Sequence, residues 1–183
     1  MSRGNVHQSI VSRCSRGGLM RSRIGNLLDL ADAGEFDVIV HGCNCMNVMG
    51  AGIAKQIAHR YPAAYQADQA TVRGAYEKMG RYTSAVVTRP DGSELVVVNA
   101  YTQYSIQGPQ PRVSYSAVRE AFSKIAMDFP TSRIGLPMIG AGLAGGDWDV
   151  LVNIIRNELG NCDATVVVLE SPPPGGWRDY DGD

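Results

Sequence analysis

The stretch VIVHGCNCMNVMGAGIAKQI, residues 38–57, reads as a strand, a polar turn and a helix entry, in that order. Val38, Ile39 and Val40, with Phe36 before them, are apolar and predict a strand driven inward. His41, Asn44 and Asn47 place polar side chains where that strand stops. Gly50 and Gly52 let the main chain turn tightly, and Ile53 and Ile57, with Lys55 and Gln56 between them, recur at helical spacing. A helix that begins this way has unpaired N–H groups and the positive end of its dipole at the turn, and these attract phosphate without a basic side chain. A phosphate-bearing small molecule is therefore the first expectation.

Before this stretch, residues 21–24 predict a short edge strand, and Gly25, Asn26 and Leu27 begin a turn and a short helix that Gly34 ends. After it, the helix from 51 to 60 stops at Tyr61-Pro62, because the residue before proline is pushed out of the α region. A second helix follows over 63–69, and 73–79 predicts a further turn. Residues 82–88 and 94–100 are β-branched runs around Pro90-Asp91-Gly92, a hairpin signature. The loop YTQYSIQGPQP, 101–111, leads into an amphipathic helix over 114–128 with Val118, Ala121, Phe122 and Ile125 on one face. A strand over 133–139 runs into a second glycine-rich loop, Gly140 to Gly146. Asp147 then suits a helix N-cap, a helix covers 148–159, and a last strand covers 165–169. Strands alternating with helices, apart from one hairpin, predict an α/β chain with a mixed, mostly parallel central sheet covered on both faces. Ligands of such sheets sit beyond the carboxyl ends of the strands, where both glycine loops fall.

The 183 residues suit one domain over 21–170, with a basic tail at 1–20 and a solvated, proline- and glycine-rich tail at 171–183. Seventeen Lys and Arg against eighteen Asp and Glu give a formal charge of -1, so no global basic field draws nucleic acid, though a local patch stays open. Cys14, Cys43, Cys45 and Cys162 lack the spacing of a zinc framework, so no metal and no cofactor is expected. A cytoplasmic location follows from the sparse cysteines and from the lack of an apolar run of membrane-spanning length.

Several residues carry two readings each. The segment GAGLAGG fits the dinucleotide fingerprint through Gly140, Gly142 and Gly145, but too few strands follow it to complete that fold. His41 is placed to protonate a leaving oxygen or steer a water, or else packs under the loop. Asn44 can exchange hydrogen bonds with vicinal hydroxyls, or else holds its own turn. Asp147 activates water or simply caps its helix. Cys43 and Cys45 share one side of the strand end and pack there, and Lys55 and Lys78 read as solvated helix positions.

HGCNCMNVMGAGIAKQI near the start, paired with LPMIGAGLAGGDW near the end, resembles the macro domain, the ADP-ribose-binding three-layer α/β/α fold. The likeness covers about residues 21–170 and is nearest to phage and bacterial macro proteins and to yeast-type ADP-ribose-1''-phosphate phosphatases. It implies that Asn26 stands where an aspartate commonly holds the adenine amino group, and that Asn44 bonds the distal ribose. It makes Met49, Gly50, Ala51, Gly52 and Ile53 the first ligand loop and Gly140, Ala141, Gly142, Leu143 and Ala144 the diphosphate loop. Tyr101, Thr102 and Gln103 would line the distal ribose. His41, Asn44 and Asp147 become the catalytic candidates of a metal-independent hydrolase acting on ADP-ribose-1''-phosphate or on ADP-ribosylated macromolecules. Family members that attack through a lysine carry it where this chain has Gln103, and their aspartate where it has Ala144. That departure favours the alternative, a non-catalytic reader of ADP-ribose. A third class, a nucleic-acid or partner-binding module, would use the arginines of the N-terminal tail.

Overall fold

Alternation along β2 (Val38–Asn44) sets the layers of this computed structural model, which describes residues 20–169. Val38 and Val40 face a core shared with α4 (Tyr115–Asp128) and α5 (Trp148–Leu159), whereas Ile39 faces α1 (Leu27–Asp32), α2 (Gly52–Arg60) and α3 (Pro62–Gln69). Successive strand side chains point to opposite faces, so a strand apolar at every position must be covered on both. β4 (Glu94–Gln103) repeats the pattern, with Leu95 and Val97 against the first three helices and Val98 and Ala100 against α4 and α5.

The sheet order is β1-β6-β5-β2-β4-β3, completed by β1 (Arg21–Ile24), β3 (Tyr82–Thr88), β5 (Arg133–Leu136) and β6 (Asp163–Val168). Among the described strands all pairings are parallel except the β3–β4 hairpin. The chain thus has the expected three-layer α/β/α architecture with a mixed, mostly parallel sheet. Arg89, buried in the hairpin, donates to Ala31 O at 2.8 Å and to Phe36 O, which ties the hairpin to the loop before β2.

The expected elements are present with shifted ends. β5 stops at Leu136, because Pro137 cannot continue the ladder, so the run to Ile139 is a loop. The 73–79 turn shrinks to a 3-10 turn, Tyr76–Lys78. Met20, assigned by the expected boundary to the tail, packs into the core at 5% exposure. The two tails otherwise lie outside the described residues. Among those residues no helix is long and apolar enough to cross a membrane, and no cluster of three metal-ligating side chains occurs.

Candidate functional site

The central strand β2 and its neighbours β4 and β5 end together, and above their ends lies a cleft of about 660 Å³. Its floor is Gly42, Thr102 and Ile139. A Cβ on Gly42 would sit 3.0 Å from Thr102 Oγ1 and 3.1 Å from the Ile139 Cγ2 methyl, so glycine lets the flanking side chains close over it. Thr102 is the extra residue of a β-bulge: Cys43 pairs with Tyr101, but Asn44 pairs with Gln103. The residue is only 2% exposed and lines the cleft, and its hydroxyl has no hydrogen-bond partner among the described residues.

One wall is the first glycine loop. The Asn44 carboxamide oxygen accepts from Met46 N at 3.1 Å and Val48 N at 3.2 Å, and its nitrogen donates to Val48 O at 2.7 Å. Asn44 therefore lines the cleft while its amide holds the turn. Gly50, Ala51, Gly52 and Ile53 line this wall, and Met49 packs behind it with Cys43, Cys45 and Tyr101. Gly52 has φ 55°, and the Ala51 cap offers no side-chain acceptor to the first turn of α2. The orphan N–H groups of that turn therefore border the cleft.

The opposite wall is the second loop. Gly140 has φ +79°, and a Cβ there would meet Val113 Cγ2 at 2.7 Å. Gly146 N donates back to Gly140 O at 2.8 Å, closing the loop on itself. Gly140, Gly142, Leu143 and Ala144 line the cleft, while Ala141 lies outside its lining and packs toward the core beside α4 and α5. Arg112, which no sequence motif marks, also lines the cleft and is its one charged side chain among the described residues. Its backbone N–H donates to Ala144 O at 2.8 Å, and its guanidinium donates to Leu143 O and, at 3.4 Å, to Gly108 O. A trans peptide points its C=O and following N–H in opposite directions, so pinning the Leu143 carbonyl to Arg112 turns the Ala144 N–H away from Arg112.

Four further expected site residues are placed elsewhere. His41 shares the parity of Ile39 and Cys43, not of Val40 and Gly42, and therefore points into the layer of α3 rather than into the cleft. It is fully buried, its Nε2 lies 2.7 Å from Asn99 Oδ1, and burial pushes its pKa from 6.5 down to about 4 against the opposing pull of Asn99. A neutral, walled-in imidazole is the packing alternative of the two. Asp147 caps α5, its carboxylate accepting from Asp149 N at 2.9 Å and Val150 N at 3.4 Å, and it does not line the cleft. Asn26 caps α1, its carboxamide oxygen accepting from Leu28 N at 2.9 Å and Asp29 N at 3.3 Å, which occupies the oxygen that an adenine amino group would need. Tyr101 is buried below the floor and donates to Asp68 Oδ1 at 2.9 Å, while Gln103 lines the cleft.

Lys78 is not solvated. It is 7% exposed, donates to Asn47 Oδ1 at 2.6 Å and Thr71 Oγ1 at 2.9 Å, and lies 4.8 Å from the Tyr101 ring centroid. Asn47, at φ 56°, carries the strained corner of the first loop, so a buried ammonium holds that corner in place.

Comparison with known proteins gives concordant matches. The family model described as "Macro domain" matches residues 40–155. An uncharacterized 17.5 kDa protein of Enterobacteria phage T4 is 32% identical over 139 residues, 72% of this chain and 86% of that protein. The DNA ADP-ribosyl glycohydrolase of Mycobacterium tuberculosis is 26% identical over 151 residues, which span 81% of this chain but only 42% of that protein. The solved structure of Thermosipho africanus DarTG in complex with ADP-ribose superposes with a TM-score of 0.63 at 14% identity, covering 87% of this chain and 45% of that one.

Proposed function

The chain belongs to the macro domain family, and from that premise we propose that its cleft binds ADP-ribose and that the protein hydrolyses a bond at the distal ribose. One observation carries the binding reading. A cleft of about 660 Å³ stands at the carboxyl ends of three adjacent strands, walled by two glycine loops, and among the described residues its lining carries Arg112 as its one charge and no carboxylate. That volume suits a nucleotide-sized ligand, and the uncapped start of α2 suits a diphosphate. The glycohydrolase name of one relative and the ADP-ribose bound in one structural neighbour support the same assignment.

For hydrolysis, the lining contains no histidine, lysine, aspartate or glutamate among the described residues. We therefore reassign the polar work from His41 and Asp147 to the Thr102 hydroxyl and the Gln103 carboxamide. These orient a water and the ribose: the water oxygen bonds to the reacting centre at the distal ribose as the bond to the leaving group breaks, a ligand phosphate oxygen takes the water's proton, and the leaving group departs with the bonding pair and is protonated from that phosphate or from solvent. The same lack of a titratable base favours the second reading, a reader that binds without turnover. Calorimetry with ADP-ribose and ATP, followed by assays for phosphate release from ADP-ribose-1''-phosphate and for ADP-ribose release from ADP-ribosylated macromolecules, separates the possibilities. ADP-ribose should bind about tenfold more tightly than ATP, the value of roughly one lost polar contact to the second ribose. No heat with ADP-ribose ends the binding reading, and binding with no release from any substrate leaves the reader.

Arg112→Gln should weaken ADP-ribose about tenfold, the loss of one charge-assisted contact, and should flatten the salt dependence of Kd. Titrations at low and high ionic strength check both. An unchanged salt dependence would remove Arg112 from the ligand's contacts.

A further inference from the structure

The cleft is polar on one side of β2 and apolar on the other. Among the described residues its polar side chains are Asn44, at the end of β2, Thr102 and Gln103, on β4, and Arg112, in the loop that follows β4. On the β5 side the chain contributes Pro137, Met138 and Ile139, none of which carries a hydrogen-bonding side chain. From α2 comes Ile53, which packs against the cluster of α1, whereas its neighbour Ala54 packs toward Tyr101 of β4. Because α1 touches β5, Ile53 belongs to the β5 end of the cleft. Pro137 and Met138 are half-buried, and Met138 rests on the core beneath α4 and α5.

The hydrogen-bond acceptors nearest this end are already engaged. Pro137 O accepts from Ile139 N at 2.8 Å, and Met138 O accepts from Ala141 N at 3.3 Å. Proline brings no N–H of its own. Asn26 stands one residue before Leu27, a member of the cluster that Ile53 joins, yet its carboxamide oxygen accepts two backbone N–H groups and its side chain does not line the cleft. A 6-aminopurine and a 6-oxopurine differ at one edge, where the first offers an amino donor and the second a carbonyl acceptor. A site separates them only with a polar group placed for that edge, which the wrong base leaves unpaired. Ile53, Pro137 and Met138 supply apolar surface for a flat ring instead.

Building on the ADP-ribose reading of the cleft, we propose that its β5 end holds the nucleobase by apolar contact alone. The protein then accepts purine nucleoside diphosphate riboses whether the base carries an amino or an oxo group at position 6. Selectivity rests on the diphosphate and the distal ribose, at the glycine loops and the β4 side.

The test compares ADP-ribose with inosine diphosphate ribose, which has the same bicyclic ring and an oxo group in place of the amino group. Calorimetric Kd values should agree within about threefold, whereas a hydrogen bond read at that edge would separate them about tenfold or more. A separation larger than threefold, in either direction, overturns the proposal. Met138→Ala should weaken both ligands alike, about fivefold, through lost apolar contact, and Met138→Leu should return both toward the native values. Native affinity in Met138→Ala would show that the base is not held there, and a loss confined to one ligand would show that its edge is read, so either result also overturns the proposal. The wild-type comparison stands without any variant. Absence of binding by both ligands would be a failure of the cleft reading, distinct from all of these.

Discussion

Acidification from about pH 6.5 to about pH 4 should cost the folded state roughly 3 kcal/mol through His41 alone. The imidazole is fully buried, and its loss of hydration outweighs the support of Asn99 for the charged form, so its pKa falls from 6.5 to about 4. Between those values the unfolded chain binds a proton that the folded chain refuses, so stability rises with pH across the window. The contribution is complete above the unfolded value and is lost as pH falls through the folded one. Asp68 acts in the opposite sense, since burial raises its pKa and the folded state holds that proton more readily. Asp37, held low by its hydrogen bond to Arg133, adds a further loss at still lower pH. Urea midpoints measured across the window should fall steeply for the wild type and much less for His41→Gln, whose side chain does not titrate. Equal slopes would show that His41 is not the acid-sensitive group, whatever the absolute stability of the variant.

The fold was legible because its strands announce themselves from both sides. The Val38 to Val40 run is apolar on both parities, the Pro90-Asp91-Gly92 turn dictates the antiparallel β3–β4 pair, and Asp147 caps α5 as expected, whereas Ser114, expected as the first residue of its helix, caps α4. Ends were harder to read, since Pro137 cuts β5 short although Met138 and Ile139 remain apolar. The two glycine loops were equally visible, and they enclose one cleft as the topology required.

Side-chain roles in the site were less legible, for reasons that differ residue by residue. His41 looked catalytic from its place near a strand end, yet its parity with Ile39 and Cys43 already pointed it toward the helix layer. That signal lay in the sequence. Arg112 sits in a proline-punctuated loop with no periodicity, and only the folding of that loop over Leu143 and Ala144 brings it to the cleft. Thr102 gains its inward position from a one-residue bulge, and no local pattern marks a bulge that lacks a glycine. Lys78 follows Glu77 in a short polar run and reads as solvated. Its burial depends on Asn47, Thr71 and Tyr101, which are remote from it or from one another in sequence.

Lys78→Met should destabilise the protein by about 3 kcal/mol and weaken ADP-ribose binding while leaving the sheet intact. The ammonium donates to Asn47 Oδ1 and Thr71 Oγ1, and hydrogen bonds from a charged donor contribute about 1.5–3 kcal/mol each. Release of the desolvation cost of a buried lysine offsets part of that sum, which leaves a net loss nearer the value of a broken buried pair. The binding effect follows from the corner at Asn47. Its nitrogen donates to Asp68 O at 2.6 Å and to Thr71 Oγ1 at 3.0 Å and, among the described residues, its oxygen accepts from Lys78 alone, so removal of the lysine frees one side of a residue at positive φ just before the first glycine loop. Asp68 is the second member of the unit, since the positive charge of Lys78 opposes the rise that burial imposes on its pKa. Asp68→Asn alone should therefore cost less than Lys78→Met, and the double variant should be more stable than the sum of the single losses by at least about 1 kcal/mol. Urea unfolding of the four proteins measures that coupling. Strict additivity would mean that Lys78 and Asp68 act separately, and a Lys78→Met variant with native ADP-ribose affinity would mean that the loop keeps its shape without the buried charge.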